Sequence, residues 1–479
     1  MLDDHARITT LQGPALCVDL DGTLLESDML YESVLALLAR NPLYVFLLPV
    51  WLLRGKAALK RELARRVTIP AETLPYNPKV LELLRTTIQR PRVLCTASDM
   101  GLVAPIAEHL GLFEQVIASD GQRNLSGRNK ARALVDAFGH KGFDYAGNGT
   151  IDLEVWEQAR GAWVVNNDAG LARKAGQRTE VHAHWPAASR LKPWLKALRL
   201  HQWLKNLLVF VPLLASHRFL EPATVADALL AFLAFGLCAS GVYVLNDLLD
   251  LTPDRLHPRK RNRPFAAGRL PLLHGIFAAP ALALAGLAVA WFCNPAFMLV
   301  LLAYYAMTLA YSLRLKRIVM IDVVMLAALY TVRIIGGTVA IDTEMSFWLL
   351  AFSMFLFLSL ALIKRYTELM SALSLGEKGA SGRGYGVDDL PLLQSLGAAS
   401  GYIAILVLAL YINSPESLKL YRNPKLLWLI CPVLLYWISR VWVIAHRGDM
   451  HDDPIVFAAT DRTSQVVVAL CVVFVLGAI

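Results

Sequence analysis

The sequence predicts a chain of two domains, an α/β domain with a parallel sheet followed by an all-α bundle of about nine transmembrane helices. Over roughly the first 200 of the 479 residues, charged residues are spread evenly and apolar runs are short, as in soluble proteins. From Trp203 onward, apolar runs of roughly 20 residues follow one another, the length that a helix needs to cross a bilayer. We therefore predict an α/β domain over 1–185, a linker with interfacial character over 186–202 and a membrane domain over 203–479.

The charge and the cysteines exclude other classes of protein. The net charge is +9, but the basic residues are concentrated in short loops between apolar runs, which is typical of membrane topology rather than nucleic-acid binding. The six cysteines include no CxxC pair, so neither a zinc site nor a disulfide framework is predicted. The N-terminal segment is acidic and polar and lacks the apolar core of a signal peptide, so we expect the α/β domain to remain in the cytoplasm.

The α/β domain is predicted from short β-like runs that alternate with helical patterns. The predicted strands cover 15–20, 92–95, 115–118, 143–146 and 162–165. Helices are expected over 102–110 and 130–138. This alternation is typical of a parallel sheet whose functional site lies at the carboxyl ends of the strands.

A helical insertion, here called the cap, is predicted between about residues 28 and 78. It contains the apolar run Tyr44–Leu53, which is too short to span a membrane. Two interpretations are open: the run is the core face of a cap helix, or it is a surface that rests on the bilayer. The core face is the favoured interpretation.

Two carboxylates follow the first predicted strand. Asp19 and Asp21 stand at i and i+2 in the segment DLDGT, so both can point into one site past a turn that Gly22 permits. One carboxylate can attack phosphorus while the other transfers the proton. Because two anions facing a phosphate repel it, the chemistry requires Mg²⁺.

Other polar residues follow later strands. Thr96 ends a strand and can hold a phosphoryl oxygen, Lys130 begins a helix and can neutralise it, and Asn148 and Asp152 offer metal ligands after a further strand. In order and spacing, these motifs resemble those of the haloacid dehalogenase superfamily over about residues 13–170.

That resemblance implies a Rossmann-like fold and a phosphatase. It implies Asp19 as the nucleophile that forms an aspartyl-phosphate, with Asp21 as the acid/base. It also implies phosphate contacts from Thr96 and Lys130. Asn148 stands where an acid is usual; its amide oxygen supplies no negative charge, so we expect weaker Mg²⁺ binding with activity retained.

The membrane domain is predicted from its apolar runs. The candidate spans are 203–217, 224–246, 271–292, 295–313, 319–340, 346–363, 395–412, 424–444 and 464–479. The loops after even-numbered spans are basic, as at Arg259–Arg263 and Arg314–Arg317, whereas the opposite loops are poor in Lys and Arg. This asymmetry predicts that the even-numbered loops and the α/β domain face the cytoplasm, in a bacterial inner membrane.

A row of acids follows the second span. Asp247, Asp250 and Asp254 fall at i, i+3 and i+7, on one face of a continuing helix, with Asn246 beside them. Oxygen ligands of this kind suit Mg²⁺ bound to a diphosphate. Donors to its phosphate oxygens follow in the sequence at Arg259, Lys260 and Arg263.

The acidic motif and the nine spans resemble the UbiA superfamily of intramembrane prenyltransferases over about 195–479. Members hold an allylic diphosphate between two aspartate-rich motifs. Here the second motif is reduced to Asp322, a predicted metal ligand, which argues against an ordinary quinone or haem prenyltransferase.

The flanking sequences resemble one branch, the decaprenyl-phosphate phosphoribosyltransferases. That branch implies phosphoribosyl pyrophosphate as donor, a polyprenyl phosphate as acceptor, and a place in cell-wall precursor supply in some bacteria. Mg²⁺ is expected in both domains. Additional substrate-binding residues are expected at Lys205, Asn206, Lys316, Arg333, Lys364, Arg365, Arg383 and Tyr385.

The two domains together suggest a pathway in which the phosphatase removes the 5-phosphate of the transferase product. Three alternatives stay open. The chain can be a prenyltransferase acting on an aromatic acceptor, a transporter or receptor with a regulatory head, or a transferase whose α/β domain is an inactive scaffold. The sequence leaves chain length of the lipid and oligomeric state unspecified.

Overall fold

The computed structural model describes residues 13–120, 123–377, 379, 384–450 and 453–479. It contains two compact units. The first comprises the chain up to Leu198 together with Tyr243–Ala279, and the second comprises Arg199–Val242 and Pro280–Ile479. The first unit therefore includes both the α/β domain and the segment that carries the acidic row.

A six-stranded parallel sheet forms the centre of the first unit and confirms the predicted parallel α/β architecture. The strand order is β3-β2-β1-β4-β5-β6, and every neighbouring pair is parallel. The strands are β1 Ala15–Val18, β2 Arg92–Asp99, β3 Gln115–Ser119, β4 Phe143–Gly147, β5 Gly161–Asn167 and β6 Glu180–Pro186. The order places β1 and β4, which carry the predicted motifs, side by side at the centre.

Two differences from the predicted strands have simple causes. β2 continues to Asp99 rather than ending near Cys95, because the pairing with β3 resumes at Asp99 after an irregularity. β6 was missed because it is an edge strand whose sequence EVHAHWP lacks an apolar run.

Helices cover the sheet and form the cap. The cap contains helices Met29–Arg40, Leu48–Leu53 and Lys56–Ala64, with a 3₁₀ turn at Pro42–Phe46. The others in this unit up to Leu198 are Pro78–Thr86, Met100–Leu110, Arg128–Phe138, Leu153–Trp156, Ala169–Gly176 and Leu191–Ala197. Side chains at the helix N-termini stabilise the first turns of these helices. For example, the Asp28 side chain accepts a hydrogen bond from the Leu30 amide at the start of Met29–Arg40.

The cap corrects the favoured interpretation of the apolar run. Trp51 is buried in the core of the unit, but Leu43, Phe46 and Leu53 are 69%, 74% and 89% exposed. The core-face interpretation is therefore wrong for most of the run, because only the side that carries Trp51 packs into the core.

The described residues contain seven helices long and apolar enough to cross a membrane, or eight if one bent pair counts as one span. The seven spans are Pro222–Leu249, Leu272–Cys293, Pro295–Leu313, Ile321–Ala340, Phe347–Ser374, Val387–Ile412 and Pro424–His446. The bent pair is Pro454–Thr460 with Arg462–Ala478, at 78°.

The prediction of nine spans is too high for the part of the chain that the structure describes. Its first span, 203–217, is a 3₁₀ helix Leu200–Phe210 followed by Val211–Ala215. The first of these pieces is 3₁₀, and Pro212 lies in the first turn of the second, so together they form only a short apolar helical segment.

Candidate active sites

The predicted nucleophile lies directly after β1 at the centre of the sheet. The Asp19 side chain is nearly buried, and its Oδ1 accepts a hydrogen bond from Lys130 Nζ at 2.6 Å. Lys130 reaches it from the first turn of helix Arg128–Phe138 and also donates to the hydroxyl of Tyr145 at 2.9 Å. The lysine therefore fixes one oxygen of the carboxylate.

Asp21 is held by groups from the cap and from β2. Its Oδ1 accepts from the Met29 amide at 2.7 Å, and its Oδ2 accepts from Ser98 Oγ at 2.7 Å. Thr96 is fully buried, and its Oγ1 accepts from the Ser98 amide at 3.0 Å. Sequence reasoning missed Ser98, because its importance depends on β2 continuing past Thr96.

The segment after β4 forms a tight loop around Asp152. Asp152 Oδ2 accepts from the amides of Asn148 and Gly149 at 3.0 and 2.9 Å, and its Oδ1 accepts from the Tyr145 hydroxyl at 3.0 Å. The Asn148 side chain lies against Gly22, where an added Cβ would stand 2.0 Å from its amide nitrogen. Gly22 has φ of +74°, so glycine suits this position on both counts.

The carboxylates of this site are crowded in a buried place. Burial and the Asp28 carboxylate raise the pKa of Asp21 to about 6. Burial raises the pKa of Asp19 to about 7, with contributions from Asp152 and Asp21 that Lys130 opposes. Anions with raised pKa values gain from an added cation, so the electrostatics suit a site that binds Mg²⁺.

The protein groups available to a metal at this site are few. Both oxygens of Asp21 and of Asp152 already accept hydrogen bonds, so Asp19 Oδ2 and the side-chain oxygen of Asn148 are the predicted ligands that keep both lone pairs for a metal. Across the described residues, no group of three or more His, Cys, Asp and Glu side chains is arranged to hold a metal. The donors are all oxygen, which fits Mg²⁺, but the set is small.

The acidic row lies where the helix Pro222–Leu249 ends. A break at Asp250 separates it from helix Leu251–Leu256, yet the amides of Asp250 and Asp254 still bond four residues back, to the carbonyls of Asn246 and Asp250 at 2.9 Å each. Helical spacing is therefore kept through the break.

Asp247 and Asp254 contact one guanidinium. Arg263 Nη1 lies 3.2 Å from Asp247 Oδ1 and 2.6 Å from Asp254 Oδ2, and both acids are nearly buried. Burial raises the pKa of Asp254, while Arg263 opposes this shift. A cation thus already stands between two carboxylates separated by seven residues.

A buried ion pair joins the acidic segment to the cap. Arg255 Nη2 and Nη1 donate to Glu32 Oε1 and Oε2 at 2.6 and 3.1 Å, with the two side chains 4% and 3% exposed. Glu32 also accepts from Ser27 Oγ at 2.5 Å, and Arg255 Nε donates to the Ala266 carbonyl at 2.8 Å. The pair, which sequence reasoning missed, connects the cap to the segment that follows Asp254.

The backbone of that segment also packs closely against the α/β domain. At Gly268, where φ is +69°, an added Cβ would lie 2.5 Å from the Glu26 side chain. Phe265 packs edge-on against Trp194 with ring centroids 5.9 Å apart. The α/β domain is therefore a structural support of the segment 255–268.

We expect the Glu32–Arg255 pair to stabilise this unit strongly. Glu32→Gln leaves a buried guanidinium without its anion, which costs about 3–5 kcal/mol. Arg255→Gln should cost a similar amount, and the double variant much less than their sum. The change in the free energy of unfolding is measured from the urea dependence of amide hydrogen exchange in the peptides that cover Met29–Arg40.

The exposed pair Arg178–Glu157 is the matched control. Its side chains are 39% and 58% exposed at 3.1 Å, so Arg178→Gln should change stability by at most about 1 kcal/mol. Equal effects of the two arginine variants would contradict the structural role assigned to Arg255.

In the second unit, two lysines converge on one acid. Lys205 Nζ and Lys364 Nζ donate to Asp453 Oδ2 at 2.8 and 2.9 Å. The Tyr330 hydroxyl lies 3.5 Å from Asp453 Oδ1. Asp453 caps helix Pro454–Thr460 by accepting from the Ile455 amide, which fixes its position at the start of that helix.

Arg333 extends this cluster inside a span. Its Nε donates to Asn206 Oδ1 at 2.9 Å and its Nη2 to the Tyr304 hydroxyl at 2.9 Å. Asn206 is 1% exposed, and its Nδ2 has no hydrogen-bond partner among the described residues. A buried amide donor of this kind is suited to an additional acceptor.

The charges of this cluster, here called the lysine cluster, do not balance. Among the described residues, Lys205 and Lys364 share the carboxylate of Asp453, while Arg333 donates to Asn206, so these three cations together contact one carboxylate. Lys205 and Arg333 are 7% and 5% exposed. Because buried excess charge is costly, the lysine cluster is suited to an anionic ligand.

A second buried network surrounds Asp322. Arg365 Nε lies 2.6 Å from Asp322 Oδ2, and the Tyr385 hydroxyl donates to Asp322 Oδ1 at 2.5 Å. Arg365 also pairs with Glu368 and donates to the Tyr311 hydroxyl at 2.9 Å. The predicted metal ligand Asp322 therefore has a protein partner on each oxygen.

The remaining predicted residues are less enclosed. Arg259 and Lys260 are exposed, and Asn246, Asp250 and Lys316 are half-buried. Arg383 lies outside the described residues.

The apolar helices, with charged clusters buried among them, define a polytopic integral membrane protein. The UbiA prenyltransferase family matches residues 207–463, more than half of the chain. The chain belongs to this family, and its membrane domain is a UbiA-type transferase.

Three bacterial relatives show how far the similarity extends. An uncharacterized protein, y4nM, of Sinorhizobium fredii is 39% identical over 95% of this chain and 89% of its own length. The nodulation protein NoeC of Azorhizobium caulinodans is 37% identical over 61% of this chain and 96% of its own. A decaprenyl-phosphate phosphoribosyltransferase of Mycobacterium tuberculosis is 37% identical over 38% of this chain and 62% of its own.

Proposed function

We propose that the membrane domain transfers 5-phosphoribosyl from phosphoribosyl pyrophosphate to a polyprenyl phosphate, and that the α/β domain is a phosphatase that removes the 5-phosphate of the product. The observation that carries the transferase proposal is the convergence of Asp247 and Asp254 on Arg263. The similarity to decaprenyl-phosphate phosphoribosyltransferases favours this donor and acceptor.

In the transfer, a phosphate oxygen of the lipid attacks C1 of the ribose. The bond between C1 and the pyrophosphate oxygen breaks, and pyrophosphate leaves with the electron pair. Asp247 and Asp254 hold Arg263, whose guanidinium can donate to the phosphate oxygens of the donor, and the same carboxylates would hold a metal that offsets the charge of the pyrophosphate. The main catalytic contribution of these groups is to stabilise the negative charge that develops on the departing pyrophosphate.

The acceptor requires an anion site of its own. The lysine cluster has basic groups for a lipid phosphate, since Lys205, Lys364 and Arg333 together contact one carboxylate, Asp453, among the described residues. The unpaired Asn206 Nδ2 can donate to a phosphate oxygen. Apolar spans around these residues suit a prenyl chain.

In the α/β domain, Asp19 attacks the phosphorus of the 5-phosphate. The bond from phosphorus to the sugar oxygen breaks, and Asp21 donates a proton to that oxygen. Water then attacks the aspartyl-phosphate, with Asp21 accepting its proton, and phosphate is released. Lys130, which contacts Asp19 at 2.6 Å, and the segment around Thr96 stabilise the phosphoryl oxygens.

Mg²⁺ is the cofactor that we propose for both domains. In the α/β domain, Asp19 Oδ2 and Asn148 would hold it, and in the acidic row Asp247 and Asp254 would, with Asp250 beside them. When bound, it offsets the negative charge between carboxylates and phosphates. The basic loop Arg259–Arg263 and the contact of Arg255 with Glu32 support one cytoplasmic face for the acidic row and the α/β domain, in a bacterial inner membrane.

The test supplies the purified chain in detergent with ribose-labelled phosphoribosyl pyrophosphate and decaprenyl phosphate. Label should pass into the organic phase only when lipid and Mg²⁺ are both present. A chain that leaves the label in water, yet prenylates an aromatic acceptor from a prenyl diphosphate, would contradict the proposal.

A further inference from the structure

The cap carries a stripe of exposed apolar side chains. Leu43, Phe46, Val50 and Leu53 recur every three or four residues and are 69%, 74%, 45% and 89% exposed. They lie on the 3₁₀ turn Pro42–Phe46 and the helix Leu48–Leu53. These four residues are here called the cap stripe.

The opposite side of the same segment is anchored in the protein. Trp51 belongs to the core, Tyr44 and Leu48 pack against it, and the rings of Tyr44 and Trp51 lie 6.1 Å apart. Because this inner side fixes the rotation of the helix, the cap stripe cannot turn inward. It remains uncovered by the residues that the structure describes.

The charge around the cap stripe is predominantly basic, although Glu62 pairs with Arg65 and Arg66. Between Ser33 and Arg61 the sequence has no Asp or Glu, while its five basic residues are Arg40, Arg54, Lys56, Lys60 and Arg61. Four of them are exposed, and Lys60 is half-buried. Arg40, together with Arg65 and Arg66, also lines a depression of about 370 Å³ beside Tyr44.

We infer that the cap stripe docks into the surface of an anionic phospholipid bilayer. An apolar face flanked by exposed Arg and Lys is the composition of segments that lie in the membrane interface. The basic residues add attraction to anionic headgroups. The spans of the same chain keep the protein in a bilayer.

Docking of the cap has a consequence for the phosphatase site, which rests on the proposed function. The next cap helix, Lys56–Ala64, directs Lys60 Nζ to the Ala97 carbonyl at 2.5 Å, in the strand that also carries Ser98. Asp21, in turn, accepts from Ser98. Through these contacts a cap seated on lipid is linked directly to the catalytic site, which favours a phosphate carried by a lipid as its substrate.

Fluorescence quenching in the full chain tests the docking without any need for catalysis. In a background with Cys293→Ser and Cys471→Ser, the two cysteines that are not buried, Phe46→Cys is labelled with an environment-sensitive dye. The chain is placed in nanodiscs of phosphatidylcholine and phosphatidylglycerol that contain nitroxide-labelled lipid. The dye should emit at shorter wavelength and lose most of its fluorescence to the nitroxide.

Lys174→Cys, an exposed position on helix Ala169–Gly176, is the matched control and should not be quenched. Without phosphatidylglycerol, quenching at position 46 should fall, and Arg54→Ser with Lys56→Ser should remove that dependence. Quenching at 46 no greater than at 174 overturns the inference, and so does a dye at 46 shielded only by a second copy of the chain. If the dye is quenched as expected but the chain releases no phosphate from the lipid product, the docking inference stands and only the proposed phosphatase function fails.

Discussion

Asp247→Asn is expected to reduce transfer of labelled phosphoribose to lipid by about 10²–10³-fold. The substitution keeps the shape of the side chain but removes one of the two charges that converge on Arg263. Without it, the departing pyrophosphate loses a metal-binding carboxylate and Arg263 loses one of its partners. Asp254→Asn should have an effect of the same order, because Asp254 contacts the same guanidinium.

Asp227→Asn provides the matched control for this experiment. Asp227 lies in the same helix, Pro222–Leu249, about 30 Å along its axis from Asp247. Its replacement should leave the rate within about twofold, as is usual for a change away from the chemistry. Undiminished transfer by a well-folded Asp247→Asn chain would contradict the transferase site proposed here.

The sequence was most informative where function depends on neighbours along the chain. The i and i+7 spacing of Asp247 and Asp254 predicted a common face, and the structure places both against Arg263 despite a break at Asp250. Five of the six strands were visible as apolar runs because buried parallel strands carry continuous apolar residues. Local patterns of this kind require no knowledge of the fold.

Contacts between distant residues could not be predicted in this way. Glu32 and Arg255 are 223 positions apart, and Lys205 and Asp453 are 248 apart. In the sequence each of these four residues is an ordinary charged residue. Only the three-dimensional structure shows which acid pairs with which base. The same holds for Arg365 and Asp322, whose pairing gives the predicted metal ligand a structural partner.

The cap shows a different limit. Tyr44–Leu53 is apolar on every side, so periodicity could not indicate which side faces the core. The direction was decided by Trp51, which enters the core and leaves Phe46 and Leu53 outside. One side of a uniformly apolar segment can therefore be buried in the core while the other side is exposed on the surface.

Asp19→Asn is expected to abolish release of phosphate, by about 10³-fold or more, while transfer to lipid continues. An amide is a poor nucleophile, but it can still accept the hydrogen bond that Lys130 donates at 2.6 Å, and the nearby Asp152 carboxylate still offsets the charge of Lys130, so the fold should survive. The phosphorylated glycolipid should then accumulate. Thin-layer chromatography of the labelled lipid, together with a phosphate-release assay, separates the two steps.

Asp136→Asn is the control, because Asp136 is an exposed acid on the helix that carries Lys130. It should leave both steps unchanged. If Asp19→Asn released phosphate from the lipid product as fast as the unsubstituted chain, the α/β domain would have no catalytic part in this pathway. Its role would then be mechanical, since the buried Glu32–Arg255 pair supports the segment that holds Asp254 and Arg263 whether or not Asp19 reacts. Glu32→Gln would in that case lower transfer while Asp19→Asn did not, so the two variants together separate chemistry from support.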